Sequence, residues 1–462
     1  MYVHPSMRSL QWPQVENSLL RAAEPSIKCF DKLPDELLVE IFGYCTDKLS
    51  IRTKTFAEDA LEQLQTLVLV TSVSSRWRNI AIDTSRLWTS IVIIDHVFRK
   101  PADMGRSIVE AFLERSRNRS IDIYLGPPLD TEPFQDEFMA AYVPLIPHLD
   151  RCSSFYCFQL GNNTAPLILP LVGPMPRLTT LFLVGEAPTL DIALVPAFTE
   201  PSSLTLLRNA TIIGIPIQPI PDNKIELLNL ALNETLPTWT LPLIESSKNI
   251  TSLCLMEGDM LGDIPETRVL LPKLKVLHQT QFTVAPYFDA PALDEFHWTS
   301  CFLGAEATFG NISSFPAVTK FYMDAPFPYH HNHPPERKLE FPLLTKLVLD
   351  DAEQASTVLR GMLLPHTLDR ALNRDRSANG KNPAIKLPYP SLQVVELRST
   401  EPEDVYELRD VLVTLLEDYP NVKLGCVPGE TAPMNNDKFW GDMIKKYGER
   451  VYPISKARGT VT

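Results

Sequence analysis

Residues 30–45 read FDKLPDELLVEIFGYC, and residues 68–91 read VLVTSVSSRWRNIAIDTSRLWTSI. The first run predicts a helix. Leu33-Pro34 precedes it, and proline suits a helix start because its fixed φ fits and its missing N–H is not needed there. Asp35 and Glu36 fall in the first turn, where carboxylates face the positive end of the helix dipole. Leu37, Leu38, Ile41 and Phe42 recur at i, i+1, i+4 and i+5, which is one apolar helix face. In the second run Val73, Trp77, Ile80 and Ala81 form another such face, and Arg76, Arg78 and Asn79 are expected toward solvent. Leu87-Trp88 adds an apolar plug after it. Leu61, Leu64 and Val68 predict a joining helix, and the polar stretch 47–59 predicts a loop before it.

Outward from this module, Ile91–Ile94 is a β-branched run and an expected strand. Met104–Arg117 predicts a helix with Ile108, Val109, Phe112 and Leu113 on one face. Ser120–Leu125 alternates apolar and polar residues, the mark of a half-buried strand, and Gly126-Pro127-Pro128 ends it. Phe134–Leu145 predicts a further helix. Residues 1–29 are polar with scattered prolines and are expected to be disordered.

A repeat begins beyond residue 146. It runs PRLTTLFLVG (176–185), KIELLNLAL (224–232), KNITSLCLME (248–257), PALDEFHWTS (291–300), PAVTKFYMD (316–324), PLLTKLVLDD (342–351) and PSLQVVELRS (390–399). Leu204 with Leu207, and Leu274 with Leu277, read as weaker copies. Each copy has the form L-x-x-L-x-L, and most first positions are separated by 19 to 26 residues. The step from 344 to 392 is twice as long and holds the polar stretch 368–386, expected as a disordered excursion. Proline stands two residues before the first Leu or Val in many copies and marks where a strand begins. One such unit cannot bury its apolar row alone, so neighbours must stack. After it, residues 403–418 and the stretch holding Phe439, Trp440, Met443, Ile444 and Tyr447 predict two helices, expected to cover the end of the stack.

Composition bounds the reading. The 462 residues hold 41 prolines against 18 glycines, so short elements separated by turns are expected, and a long bundle or a Rossmann domain fits poorly. The net charge of −13 argues against a general nucleic-acid binder, which needs cations to neutralise phosphates. The basic run Arg115–Arg119 reads as the solvated end of a helix. Seven scattered cysteines do not form a disulfide framework. No apolar run approaches the ~20 residues that span a bilayer, and no secretory signal is expected at the start. The expected location is cytoplasmic or nuclear, with no membrane partner.

Chemical motifs are few. His330, His331 and His333 crowd into four residues, but no Cys or carboxylate stands at ligand spacing, and a solvated loop is the expected reading. Cys152 and Cys157 have the spacing of half a zinc site without a second half. No nucleophile elbow, H-E-x-x-H, Walker A or dinucleotide fingerprint occurs, so no catalytic, cofactor or metal residue is assigned.

The order LP-x-E-L followed by W-R-x-I-A and LW resembles an F-box, over about sixty residues. That resemblance implies a helical module docked on a Skp-type adaptor of a cullin ubiquitin ligase, with Leu33, Pro34, Leu37, Leu38, Ile41, Phe42, Val73 and Trp77 at the adaptor contact. The alternative is a generic three-helix unit capping a larger domain. The repeats resemble an irregular leucine-rich-repeat solenoid, in place of which an ordinary α/β domain is the alternative. The expected fold is therefore α/β: a disordered segment 1–29, an F-box-like module 30–91, a linking strand–helix–strand 92–145, a solenoid 146–428 and a capping helix with tail 429–462. The expected function is a non-catalytic substrate receptor of a ligase; a leucine-rich interaction scaffold without a ligase role is the rival. In such a solenoid the residues flanking the inward leucines form the ligand face, here Thr180, Phe182, Asn229, Ser252, Cys254, Glu295, His297, Lys320, Tyr322, Lys346, Val348 and Glu396. Aromatic side chains are favoured at binding hot spots, so Phe182 and Tyr322, with His297 as a polar contact, are the expected protein-substrate residues.

Overall fold

The structure is a computed structural model that describes residues 33–46, 56–94, 102–126, 135–160, 173–185, 204–215, 224–231, 240–256, 268–280, 288–299, 315–324, 341–349, 359, 389–398, 402–426 and 438–454. The segments 1–29 and 368–386 and the histidines at 330, 331 and 333 lie outside these residues. The chain divides into two compact units, residues 1–159 and 160–462. Among the described residues no helix is long and apolar enough to cross a membrane.

The first unit opens with three helices, α1 (Asp35–Thr46), α2 (Phe56–Val73) and α3 (Ser75–Asp83), and a 3-10 turn at Ser85–Trp88. The expected joining helix is α2. Pro34 sits one residue before α1, and its carbonyl accepts the N–H groups of Leu37 and Leu38 at 3.1 and 3.2 Å. Leu38, Phe42 and Thr46 turn inward at i, i+4 and i+8. Ser74 caps α3, its hydroxyl accepting from the Trp77 N–H at 3.1 Å. The Phe42 and Trp77 rings meet at 4.9 Å between centroids. Arg78 and Asn79 are exposed as expected, and Arg76 is half-buried. Its guanidinium reaches back to α1 and donates to Asp35 Oδ1 and to the Leu33 carbonyl, both at 2.5 Å. Arg86 makes a second clasp, donating to the Val39 carbonyl at 2.8 Å and to Glu40 Oε1 at 2.9 Å. Gly43 makes room for it, since a Cβ there would lie 2.9 Å from Arg86 Nη2.

A three-stranded parallel layer follows: β1 (Ser90–Ile94), α4 (Ala102–Ser116), β2 (Ile121–Gly126), α5 (Gln135–Tyr142) and β3 (Cys152–Leu160). The expected helix over 134–145 is cut short. After Tyr142 the chain tightens into a 3-10 stretch, Val143–Arg151, because Pro144 and Pro147 have no N–H to continue the α-helical ladder. α4 ends where Arg117 enters the left-handed region at φ 55. Arg151, buried, caps this end by donating to the Leu113 carbonyl at 3.3 Å and Ser116 Oγ at 3.0 Å. In the basic run, Arg117 and Arg119 are exposed, while the Arg115 guanidinium lies 4.3 Å from the centre of the Trp88 ring.

The second unit is a long, open parallel sheet built in sequence order. Its strands are β4 (Thr180–Gly185), β5 (Asn209–Ile213), β6 (Leu227–Ala231), β7 (Ser252–Met256), β9 (Val276–Thr280), β11 (Glu295–Thr299), β12 (Lys320–Asp324), β13 (Lys346–Leu349), β14 (Val394–Leu397), β15 (Lys423–Cys426) and β16 (Val451–Pro453). A two-stranded pair, β8 (Val269–Leu270) with β10 (Phe288–Asp289), stands apart. The expected Leu positions are buried in every copy. Leu181, Ala210, Leu228, Leu253, Leu277, Phe296, Phe321, Leu347 and Val395 align in one cross-strand row. Their register has no offset, so each unit repeats the same depth of burial.

A shared turn sets that register. The N–H of Leu178 returns to the Met175 carbonyl at 3.0 Å, and the same three-residue return recurs at Leu207, Ile250, Leu274, Leu293, Val318, Leu344, Leu392 and Val422. Proline takes the second place of these turns at 176, 272, 291, 316, 342, 390 and 420, where its fixed φ is wanted, rather than the first place of the strand. The residue before it, such as Met175, Phe315 or Phe341, is fully buried, so a unit has four inward positions and not three. This corrects the weak copy at Leu204: the turn makes Leu204 the counterpart of Met175, and Leu207, Ala210 and Ile212 are the true row. β13 pairs directly with β14, so the doubled step is one long connection.

The two C-terminal helices differ from their expected role as an end cover. α7 (Pro402–Asp418) joins β14 to β15, and α8 (Lys438–Tyr447) joins β15 to β16. α6 (Thr240–Ser246) is similarly placed between β6 and β7. Arg450 caps α7, donating to the carbonyls of Leu416 at 2.8 Å, Tyr419 at 2.7 Å and Val422 at 3.0 Å. Arg450→Met keeps the apolar stem and removes these donors. It should destabilise the second unit by about 1–3 kcal/mol, read as a lower urea midpoint.

Candidate functional site

Two surfaces carry the residues that the sequence singled out. On α1, Leu37 is 50% and Ile41 36% exposed, one turn apart on the same side. Pro34 is exposed and Leu33 half-buried. Leu38 and Phe42 are 0% exposed. Two successive apolar residues on a helix point about 100° apart, so the pairs Leu37-Leu38 and Ile41-Phe42 divide between the outside and the core. In this conformation Leu38 and Phe42 have no surface to offer a partner. Trp77 is half-buried against Phe42, and Val73 is half-buried at the end of α2. Three exposed apolar residues were not assigned to the adaptor contact by sequence: Tyr44, 80% exposed and three residues after Ile41, and Val68 and Leu69 on α2. The i, i+4, i+7 spacing of Leu37, Ile41 and Tyr44 was the signal for the first of these.

On the sheet of the second unit, the residues flanking the inward row form the opposite face. His297 and Tyr322 are brought together. Their rings are parallel within 3° with centroids 3.9 Å apart. His278, not singled out by sequence, extends the stack with its ring 3.9 Å from that of His297. The Arg398 guanidinium lies 5.5 Å from the centre of the Tyr322 ring. Val348, expected on this face, is fully buried. β13 lies between β12 and β14, so the Arg398 side chain crosses it to reach Tyr322. Phe182 shares the row but stands five strands from His297, about 24 Å at ~4.8 Å per strand.

The charges near this stack are paired. Lys320 Nζ is 2.5 Å from Glu295 Oε1 and 3.6 Å from Asp294, and Lys346 Nζ is 2.8 Å from Glu396 Oε1. Glu295 Oε2 lies 3.5 Å from His297 Nε2. Burial, together with the neighbouring His278, lowers the His297 pKa to about 4, against the opposing pull of Glu295. Burial also lowers that of His278. Stacked imidazoles at this distance are compatible with neutral rings, each able to donate one hydrogen bond and accept another. Between pH 6.5 and about 4 the unfolded chain binds the His297 proton that the folded chain refuses. Stability therefore falls as pH drops through this window. The Glu295 carboxyl, held low by Lys320 and His297 despite its burial, acts in the same direction. The urea midpoint of His297→Gln should accordingly fall less than that of the wild type between pH 7.5 and 4.5.

Cys152 and Cys157 are both buried in β3, and burial pushes both thiols up. Among the described residues no group of three or more His, Cys, Asp or Glu side chains is placed to hold a metal ion.

No curated protein matches the chain. A family model described as F-box-like matches residues 30–94, which span α1 to β1, so the helical start of the first unit is an F-box-like domain.

Proposed function

We propose that this chain is the substrate-recognition subunit of a Skp–cullin–F-box type ubiquitin ligase. The observation that carries the reading is the F-box-like domain at residues 30–94, which presents Leu37, Ile41 and Tyr44 outward along α1. F-box domains generally bind Skp-type adaptors. Leu33, Pro34, Leu37, Ile41 and Tyr44, with Val68 and Leu69, make the adaptor contact here, while Leu38, Phe42 and Trp77 hold α1 against α3. A row of exposed apolar side chains suits such a contact because its burial is favourable only once a partner covers it.

The second unit is the substrate-binding part. Its turn-and-strand copies, stacked in register with a row of Leu and Phe inside, support an irregular leucine-rich-repeat solenoid. The chain performs no catalytic step and needs no cofactor; it holds a protein substrate near the cullin-bound machinery, in the cytoplasm or nucleus, without nucleic acid or membrane. Phe182, His297 and Tyr322 lie on the face that receives the substrate. Proximity labelling from the full chain, compared with the Phe182→Ala, His297→Ala, Tyr322→Ala triple variant, tests this part. The adaptor should remain among the labelled proteins and at least one other partner should be lost. An unchanged partner set moves the substrate off this face. Absence of adaptor from wild-type samples favours the scaffold without a ligase role.

A further inference from the structure

We propose that the outward face of β5, β6 and β7 is a docking trough for an uncharged protein segment that carries an aromatic side chain. The inference rests on the reading of the second unit as the substrate-binding part and gives that substrate a chemistry. Thr211, Asn229 and Cys254 stand in one cross-strand row and form the floor. The same row continues to Phe182 on β4 at one end and to His278 on β9 at the other. Rings stand at both ends of this row, and the three side chains between them are smaller and half-buried. At ~4.8 Å per strand the two ends are about 19 Å apart, the reach of about six extended residues.

Charge separates this part of the face from the rest. β4, β5, β6, β7 and β9 read TLFLVG, NATII, LLNLA, SLCLM and VLHQT, with no charged residue among them. β11 to β15 read EFHWT, KFYMD, KLVL, VVEL and KLGC, and every one carries a charge. At the chain's 21% charged residues, the first five strands would hold about five. Among the described residues the nearest charges lie just before the strands: Arg208 and Glu226, which pair with each other, and the exposed Lys275 ahead of β9. A charged segment laid over β5–β7 would lose hydration and meet no countercharge on these three strands, so the trough selects against one. An uncharged segment avoids that cost.

The trough also has groups that hold such a segment. His297 covers one side of the His278 ring; the other side faces β7, where Cys254 offers no ring to continue the stack. An incoming aromatic side chain completes it in the offset geometry that aromatic pairs prefer. Asn229 Nδ2 donates to Thr211 Oγ1 at 3.1 Å. The second amide hydrogen and the amide oxygen are suited to a peptide backbone, which presents one acceptor and one donor per residue.

The test pans random heptapeptides displayed on phage against the immobilised full chain, then measures the recovered peptides as synthetic probes by fluorescence anisotropy. Recovered peptides should carry an aromatic residue and lack Asp, Glu, Lys and Arg beside it. Their affinity should fall at least tenfold on Asn229→Asp, an isosteric change that places a charge on the floor, and severalfold on His278→Ala. Lys423→Ala, exposed on β15 away from the trough, should leave it unchanged. Thermal unfolding of each variant confirms that the fold is kept. Recovery of charged peptides, equal affinity for wild type and Asn229→Asp, or no recovery at all overturns the proposal. Adaptor co-purification is scored on the same samples. A chain that binds the peptides but no adaptor overturns the ligase reading and leaves the trough standing; the converse overturns the trough alone.

Discussion

Replacing Leu37 and Ile41 together with aspartate should abolish co-purification of a Skp-type adaptor and leave the thermal unfolding of the second unit unchanged. Both side chains are at least one-third exposed on α1, so aspartate there meets water in the free chain and costs the fold little. In the proposed complex the same positions would be covered by the partner. Two carboxylates placed in an apolar contact would be stripped of water without a counterion, at several kcal/mol each. That is at least a thousandfold in Kd. Leu38→Asp gives the needed contrast. Leu38 has no exposed surface, so aspartate there breaks the packing of α1 itself, and binding is lost together with the cooperative unfolding of the helical module. The double variant should lose binding with that transition intact. Undiminished adaptor capture by the double variant removes the F-box reading of this surface.

The sequence was most legible where one residue's place is fixed by its own periodicity. The inward rows of the sheet are of this kind: a period of two over five residues names Leu253 and Leu255, or Phe321 and Met323, without reference to anything else. Where placement depends on a neighbouring segment, the reading failed. Leu204 and Leu207 look alike in isolation, and only the return bond from Leu207 to Leu204 shows which opens the turn and which opens the L-x-x-L-x-L row. Leu37 and Leu38 are adjacent and chemically identical, yet α3 and the turn after it cover one side of α1 and leave the other open. Arg76 looked solvated because its partners, the Leu33 carbonyl and Asp35, lie some forty residues earlier. Arg450 carries no local signal for its task, since the carbonyls it caps belong to the end of a helix in the preceding connection. His278 sits in a weak copy of the repeat, VLHQT, and its alignment with His297 appears only once β9 and β11 are paired. The histidine cluster at 330–333 and the long connection after β13 drew attention by composition alone, and composition does not say where a segment lies.

Phe321→Ala should cost about 3–5 kcal/mol, among the largest losses any single substitution in the second unit can produce. Phe321 is 3% exposed on β12. Its ring stacks 5.5 Å from Phe296 on β11 and lies 5.2 Å from Phe341, which enters from the turn before β13. Phe296 in turn meets Phe315 at 5.9 Å and Phe341 at 6.5 Å. Four rings thus join three consecutive units, two from strands and two from the turn position ahead of the proline. Alanine removes the ring and leaves a cavity that the remaining three can close only by moving strand β11 or the turns that carry Phe315 and Phe341, which the return bonds at Val318 and Leu344 resist. The loss is a large share of the 5–15 kcal/mol typical of a whole domain, so the urea midpoint should fall steeply with little change in m. Tyr322, the next residue, is the control. Its ring is the same size but stands half-exposed on the opposite face against His297, so Tyr322→Ala should cost less than half as much. Lys346→Ala, which removes one partly exposed ion pair with Glu396, should stay within about 0.5 kcal/mol of wild type. Equal losses at Phe321 and Tyr322 would contradict the assignment of the two faces, because only an inward ring leaves a cavity behind.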